Sequence, residues 1–89
     1  MKIVFASRAW EDYQHWVAND RATLERLNAL VEQCRHTPFK GTGKPEPLKG
    51  ELQGWWSRRI NQADRLVYRV AGTGAEQRLE IAQCRFHYA

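Results

Sequence analysis

The spacing of apolar and polar residues changes along this chain, from helix-like in the first half to strand-like in the second. Lys2–Ala6 is β-branched and aromatic, which predicts an opening strand. Trp10, Tyr13 and Val17 then recur at helical spacing after Ser7, a residue type that often caps helix N-termini. The chain is therefore predicted to begin with a strand and a helix.

A second helix is predicted after a short break at Asn19 and Asp20, and Asp20 can serve as its N-cap. The apolar positions of this second helix advance in steps of three and four: Leu24, Leu27, Val31 and Cys34. Two helices separated by so short a break are typical of a helical hairpin.

Residues 37–50, with the sequence TPFKGTGKPEPLKG, form a proline- and glycine-rich segment. The segment holds all three prolines and three of the six glycines, so neither a helix nor a central strand can continue through it. Lys44 and Glu46 each precede a proline, which favours extended conformations, and the proline rings lower the entropy of the unfolded segment. We predict a preset binding loop that presents Lys44, Glu46 and Lys49.

Three strand-like runs follow the loop, separated by the turn sequences NQAD and GTGAE. These runs are Trp55–Asn61, Arg65–Ala71 and Arg78–Phe86. The order of elements predicts a single α+β domain over residues 1–89, in which two helices pack on one sheet.

A hairpin that pairs Arg59 with Arg65 would divide the neighbouring side chains between two faces of the sheet. One face would be open and rich in arginine: Trp55, Ser57, Arg59, Arg65, Val67 and Arg69. The helices would cover the other face: Trp56, Ile60, Leu66, Tyr68 and Val70. Arg58 falls on this covered face and is the one misfit of the register.

The composition narrows the class of protein. With 89 residues, 43 % hydrophobic and 27 % charged, the chain has the balance of one small globular domain. Its mean hydropathy is −0.69, and no apolar run approaches the roughly 20 residues of a spanning helix. The apolar stretch in MKIVFASRAW is too short for a signal peptide, and Cys34 and Cys84 do not make a disulfide framework. We expect a cytoplasmic protein with two free thiols and no membrane contact.

The net charge of +4 comes from one part of the chain. Residues 40–69 hold seven basic and three acidic side chains, whereas the segments on either side are balanced. Ten of the fourteen basic residues are arginines, whose planar guanidinium group suits bidentate contacts with phosphate. This clustering indicates a polyanionic partner, nucleic acid before membrane; the alternative is an ordinary solvated face.

Metal and covalent mechanisms have little support in the sequence. The glycine-rich segment lacks the spacing of a phosphate-binding loop, and the three histidines and two cysteines lack zinc-site spacing. We therefore expect no metal ion and no cofactor.

The remaining candidates suit metal-free cleavage of RNA by its own 2′-hydroxyl, which needs a base, an acid and cations near the phosphorus. Glu46 could accept the proton and His87 could donate one. Arg59 and Arg65 could hold the phosphate, while Tyr88 offers a face for an unstacked base. The alternative is that each of these is an ordinary surface or packing residue.

The segment HTPFKGTGKPEPLKGELQGWWSRRI, followed by DRLVYRV and the closing CRFHY, resembles the YoeB/Txe family of bacterial toxin–antitoxin toxins, within the RelE/ParE superfamily. The resemblance is strongest over residues 36–70 and 81–88. It implies a RelE-like fold, with two helices on a small twisted antiparallel sheet. It also implies an endoribonuclease that depends on the ribosome and cleaves messenger RNA in the decoding site.

The resemblance also implies a role for individual residues. Glu46 would be the general base, Arg65 would stabilise the phosphate, His87 would protonate the leaving group and Tyr88 would orient the substrate. Three further residues are expected to bind RNA: Lys44, Lys49 and Arg59. The implied partners are a small acidic antitoxin of the YefM/Axe type, the ribosome with its messenger, and a second copy of the toxin.

Two features depart from the family pattern. Ala89 follows the His-Tyr pair with which members commonly end, and Ala63 stands where an acid often precedes the catalytic arginine, with Asp64 beside it. Without that acid, Glu46 would have to act as the only base. Two rival functions remain: a ParE-type toxin that inhibits DNA gyrase without cleaving RNA, and a plain RNA-binding module.

Overall fold

The computed structural model describes residues 1–88, and the departure at Ala89 lies outside the described residues. Two helices lie on one face of a five-stranded sheet whose strand order is β1-β5-β4-β3-β2. The strands are β1 (Lys2–Phe5), β2 (Glu46–Pro47), β3 (Trp56–Arg59), β4 (Arg65–Ala71) and β5 (Arg78–Gln83); the helices are α1 (Ser7–Asn19) and α2 (Arg21–His36). The predicted α+β class is confirmed.

The sheet is mixed rather than wholly antiparallel, which corrects one detail of the expectation. β1 runs parallel to β5, while the other three pairings are antiparallel. Parallel neighbours require a long connection between them, and here the rest of the chain intervenes between the first strand and the last.

The two predicted helices form, and the single residue Asp20 separates them. Its side chain accepts a hydrogen bond from the backbone N–H of Thr23, at 3.0 Å, as an N-cap does. The cap predicted for α1 was wrong: Ser7 is the first helical residue and the N-cap is Ala6, which makes no side-chain cap bond.

The buried stripe of α1 also differs from the one that its largest apolar residues suggested. Trp10 and Val17 are both exposed, whereas Ala9, Asp12 and Trp16 face the core. Trp16 packs in the core, and its buried indole N–H is satisfied by donating to the carbonyl of Cys84, at 2.8 Å.

In α2 three of the four predicted positions, Leu27, Val31 and Cys34, are buried, and the fourth, Leu24, is half-buried against the core. Leu30, which was not predicted, is buried as well.

The predicted register of β3 and β4 is confirmed, with Arg59 opposite Arg65 and Arg58 opposite Leu66. The Arg58 side chain therefore enters the core face, where it is 0 % exposed. Its guanidinium nitrogens donate to the Tyr68 hydroxyl and the Gln33 side-chain oxygen, and to three backbone carbonyls, those of Thr37, Lys40 and Thr42. The misfit of the register is thus the residue that holds the segment 37–42 against the sheet.

Close packing of this segment depends on glycine. Gly41 has a φ of +120°, and a Cβ atom there would clash with the side-chain oxygen of Gln33. The Gln33 oxygen also accepts from the Thr42 N–H, while the Gly43 carbonyl accepts from the Arg59 N–H at 2.7 Å. The segment is therefore tied to both α2 and β3, as a preset loop should be.

Both cysteines, Cys34 and Cys84, are buried free thiols, as predicted. Burial raises the pKa of both, and that of Cys84 to about 12. Within residues 1–88, no helix has the length and apolarity needed to cross a membrane.

Replacing Arg58 with methionine should destabilise the fold strongly, because the buried Tyr68 hydroxyl and four part-buried acceptors would lose their donor at once. An unsatisfied buried polar group costs about 1–3 kcal/mol, so we expect a loss of about 3 kcal/mol or more in the free energy of unfolding, measured by urea denaturation. The matched control is Arg59→Met, at the neighbouring exposed position, which should change stability by no more than about 0.5 kcal/mol. Equal stabilities of the two variants would contradict this role for Arg58.

Candidate active site

The regular pairing of β5 ends at Gln83, and the residues that follow pass the start of β4, where the Phe86 carbonyl accepts from the Arg65 N–H. β5 is therefore shorter than the predicted strand Arg78–Phe86. The Asp12 carboxylate accepts from the Cys84 N–H at 3.1 Å, and Phe86 adopts a φ of +65°. The strand ends here because the Cys84 N–H bonds to a helix side chain instead of to a neighbouring strand. The positive φ of Phe86 then turns the chain.

We call residues 84–88 the C-terminal tail. Asp64 and Arg65, where β4 begins, hold this tail at Phe86. The Asp64 carboxylate accepts from the Phe86 N–H at 2.6 Å, and the Phe86 carbonyl accepts from the Arg65 N–H at 3.0 Å. The acid beside Ala63 is therefore engaged in holding the tail.

The tail reaches Glu46 through Tyr88. Its hydroxyl donates to the Glu46 carboxylate at 3.1 Å and lies 3.5 Å from the Ser57 hydroxyl, which donates to it. Glu46 is directly opposite Ser57 in the pairing of β2 with β3. The arginine-rich face is consequently less open than expected, since Ser57 and Val67 are buried on it.

His87 is exposed and lies between the anchored residues Phe86 and Tyr88, its ring centroid 4.6 Å from that of Tyr88. Its Nδ1 is 2.7 Å from the Tyr88 carbonyl oxygen. Because a carbonyl only accepts, this contact requires the hydrogen on Nδ1. Among residues 1–88, Nε2 has no hydrogen-bond partner and is the ring nitrogen available to a substrate.

The turn between β3 and β4 orients the Arg65 guanidinium. Its Nη1 donates to the carbonyls of Asn61, Gln62 and Asp64, at 2.8, 3.1 and 3.2 Å. Among residues 1–88, its Nε and Nη2 have no hydrogen-bond partner, so this edge of the fork is available to an anion. The Asn61 side chain shapes the turn by accepting from the N–H groups of Ala63 and Asp64.

The three residues expected to bind RNA lie at different places around this centre. Arg59 is exposed opposite Arg65, and Lys49 lines a cleft beside Tyr88. Lys44 is exposed, with a φ of +52°, next to the Gly43 carbonyl that binds the Arg59 N–H. The structure therefore brings Glu46 and Tyr88 into direct contact and links Arg65 to the tail through Phe86. Among residues 1–88, no side-chain hydrogen bond or ion pair joins Lys44, Lys49 or Arg59 to these residues.

The sequence analysis did not assign two residues that the site depends on, Ser57 and Asp64. Each forms a contact with the tail that spans more than twenty residues of sequence. Residue spacing carries no signal for such contacts, although an acid next to Arg65 was noticed. Among residues 1–88, no three His, Cys, Asp or Glu side chains lie together as a metal site would require.

Known proteins match this chain over its full length. The model of the YoeB-like toxins of bacterial type II toxin–antitoxin systems matches residues 5–88. The toxin YoeB of Streptomyces coelicolor is 50 % identical over 88 residues, which cover 99 % of this chain and 100 % of that protein.

Solved structures give the same result. A YoeB/ParE toxin from Agrobacterium tumefaciens is 53 % identical, with a TM-score of 0.95 over 99 % of this chain and 100 % of that one. A YoeB–YefM heterotetramer and a YoeB dimer, both from Staphylococcus aureus, are each 39 % identical, with TM-scores of 0.86 and 0.83. Each covers 99 % of this chain and is itself covered to 98 %.

Replacing Asp64 with alanine should release the tail without unfolding the domain, because the Phe86 N–H would lose a charged acceptor. A hydrogen bond to a charged group contributes about 1.5 kcal/mol or more, so exchange of the Phe86 amide hydrogen should accelerate about tenfold, measured by NMR. Asp64→Asn keeps an acceptor oxygen and serves as the matched control. Unchanged exchange in the alanine variant would show that Asp64 does not hold the tail.

Proposed function

This chain belongs to the YoeB-like toxins of bacterial type II toxin–antitoxin systems, and on that premise we propose that it is a ribosome-dependent endoribonuclease that cleaves messenger RNA in the decoding site. The observation that carries the proposal is the Tyr88–Glu46 hydrogen bond. It joins the end of the tail to the loop segment 37–50, 42 residues earlier in sequence.

The proposed reaction is attack of the RNA 2′-hydroxyl on the neighbouring phosphorus. Glu46 takes the 2′-hydroxyl proton as the O2′–P bond forms, and the P–O5′ bond breaks as His87 Nε2–H gives a proton to the departing oxygen. The products are a 2′,3′-cyclic phosphate and a 5′-hydroxyl, so protons and bonds balance without a cofactor.

Arg65 and Tyr88 have supporting roles in this proposal. The unpartnered edge of the Arg65 guanidinium faces no competing protein acceptor among residues 1–88, so it can bind the phosphate as negative charge builds on it. Tyr88 orients the Glu46 carboxylate through its hydroxyl. Lys44, Lys49 and Arg59 would bind the RNA backbone, where positive charge is needed regardless of sequence.

The proposed partners follow from the chain's charge and its relatives. The surplus positive charge of residues 40–69 suits an acidic antitoxin, and such a partner would cover the same face as RNA. The S. aureus relative is found with YefM and as a dimer, which supports a YefM-like antitoxin and a homodimer here. We propose a cytoplasmic location, because that is where ribosomes translate.

The gyrase-inhibitor and RNA-binding alternatives would not require this arrangement. Neither needs a carboxylate, a histidine and an arginine gathered around one tail, since binding alone uses phosphate contacts. These residues therefore favour cleavage over both rivals.

Three substitutions should each relieve growth arrest when the toxin is expressed without an antitoxin: Glu46→Ala, Arg65→Ala and His87→Gln. Loss of an acid or base typically lowers the rate by about 10²–10⁴, which should allow translation to continue. The measurement is the growth rate together with incorporation of labelled methionine, and circular dichroism checks that each variant is folded.

Matched controls for these variants are exposed residues of the same types outside the site: Glu76→Ala, Arg21→Ala and His36→Gln. These controls should remain as toxic as the wild type. Full toxicity of all three site variants would refute the catalytic roles proposed for them.

Cleavage of free RNA should be slow, at least about a hundredfold slower than cleavage of the same message on the ribosome. His87 and Glu46 are exposed, and one oxygen of Glu46 already accepts from the Tyr88 hydroxyl. Over residues 1–88, the protein alone therefore offers no enclosed site that would hold the RNA in the geometry for reaction. The measurement is the single-turnover cleavage rate of the same messenger RNA, free and bound to the ribosome. Equal rates would contradict the dependence on the ribosome.

A further inference from the structure

A cleft of about 490 Å³ lies beside the candidate active site and is lined by Leu48, Lys49, Glu51, Leu52 and Tyr88. Its volume falls within the roughly 300–1,000 Å³ of small-ligand sites. Tyr88 is shared between the cleft and the site, because its hydroxyl binds Glu46. A ligand in the cleft would therefore be the immediate neighbour of the reacting phosphate.

The lining combines apolar surface with charge. Leu48 is buried, Leu52 and Tyr88 are half-buried, and the side chains of Lys49 and Glu51 are exposed. A nucleotide has the matching chemistry, since its base has flat apolar faces and a polar edge and its phosphate is an anion. The cleft thus fits one nucleotide better than an apolar molecule.

Within the described part of the chain, Glu51 is the one acidic residue that lines the cleft. Residues 40–69 contain three acids; Glu46 accepts from Tyr88 and Asp64 accepts from Phe86. Over residues 1–88, the Glu51 carboxylate has neither a hydrogen bond nor an ion pair. A carboxylate near RNA phosphates opposes binding by repulsion, unless the ligand donates hydrogen bonds to it.

Resting on the proposed cleavage of RNA, we propose that the cleft binds the base of the messenger nucleotide next to the cleaved phosphate, and that Glu51 selects guanine there. An ionised carboxylate only accepts hydrogen bonds. Guanine has two adjacent donors on its Watson–Crick edge, N1–H and the 2-amino group, and these match the two carboxylate oxygens. Adenine and cytosine place an acceptor beside their single amino donor, and uracil places acceptors on both sides of N3–H.

The test that does not depend on cleavage is an NMR titration of the full chain with the four nucleoside 5′-monophosphates and with inorganic phosphate. Guanosine monophosphate should bind at least about fivefold more tightly than the other three, which is the lower bound for one bidentate base contact. Its shifts should include the amides of residues 48–52. Glu51→Gln should bring the four affinities within about twofold of one another.

Glu51 lies in the three-residue 3₁₀ turn Gly50–Leu52. The matched control is Glu76→Gln, which makes the same change in the 3₁₀ turn Gly74–Glu76, which does not line the cleft. It should keep the preference for guanine. Equal binding of all four nucleotides by the wild type would overturn the proposal. So would identical shifts with inorganic phosphate, or a preference that survives Glu51→Gln.

A second arm identifies the messenger as the source of the base. On ribosomes, wild-type protein should cleave faster when guanine rather than adenine adjoins the cut, and Glu51→Gln should reduce that ratio at least about fivefold. An unchanged ratio would overturn the assignment to the messenger. If the wild type cleaves no codon at all, the proposed nuclease function fails, and the titration still decides whether the cleft selects guanine.

Discussion

The Arg58 guanidinium lies in the core with no carboxylate among its hydrogen-bond partners, and its donors are satisfied by neutral oxygens. Three of these are backbone carbonyls of one short segment, and the others belong to Gln33 on α2 and Tyr68 on β4. Tyr68 in turn donates to the Pro38 carbonyl at 2.5 Å, and burial raises its pKa to about 12. A buried charge is tolerated only when it is fully hydrogen-bonded. This requirement therefore fixes the path of the loop that leads to Glu46.

The candidate site depends on that loop, from the middle of the sequence, and on the C-terminal tail, which meet at Glu46 and Tyr88. Pairing with β3 sets Glu46 in place, and Asp64 and Arg65 set Phe86 in place. His87 and Tyr88 directly follow this anchored residue, and Tyr88 is held in turn by its hydrogen bond to Glu46. Of the four side chains that carry the proposed chemistry, Glu46 and His87 are exposed, and Arg65 and Tyr88 are half-buried. Such an accessible set suits a site that a large substrate completes.

The sequence allowed much of this to be predicted, for physical reasons that differ between elements. Strand β4 and the pairing of Arg59 with Arg65 could be predicted because a two-residue period and a short turn leave few alternatives. The early end of β5, the contact of Asp64 with Phe86 and the burial of Ser57 could not, because each depends on contacts between distant parts of the chain. Arg58 could be recognised only as a misfit, since its partners are mostly backbone carbonyls, which every sequence has. Residue chemistry offered Glu46, Arg65, His87 and Tyr88 as candidates but left ordinary surface or packing roles open, and only the family resemblance implied a specific role for each.

Primer extension on a messenger held by purified ribosomes tests the central claim most directly, with wild-type protein compared with the His87→Gln variant. The account predicts one new 5′ end within the codon of the decoding site, present with the wild type and absent or reduced at least about a hundredfold with the variant. A cut of equal strength with both proteins would remove His87 from the mechanism. No cut with either protein, together with inhibition of DNA gyrase, would contradict the account as a whole.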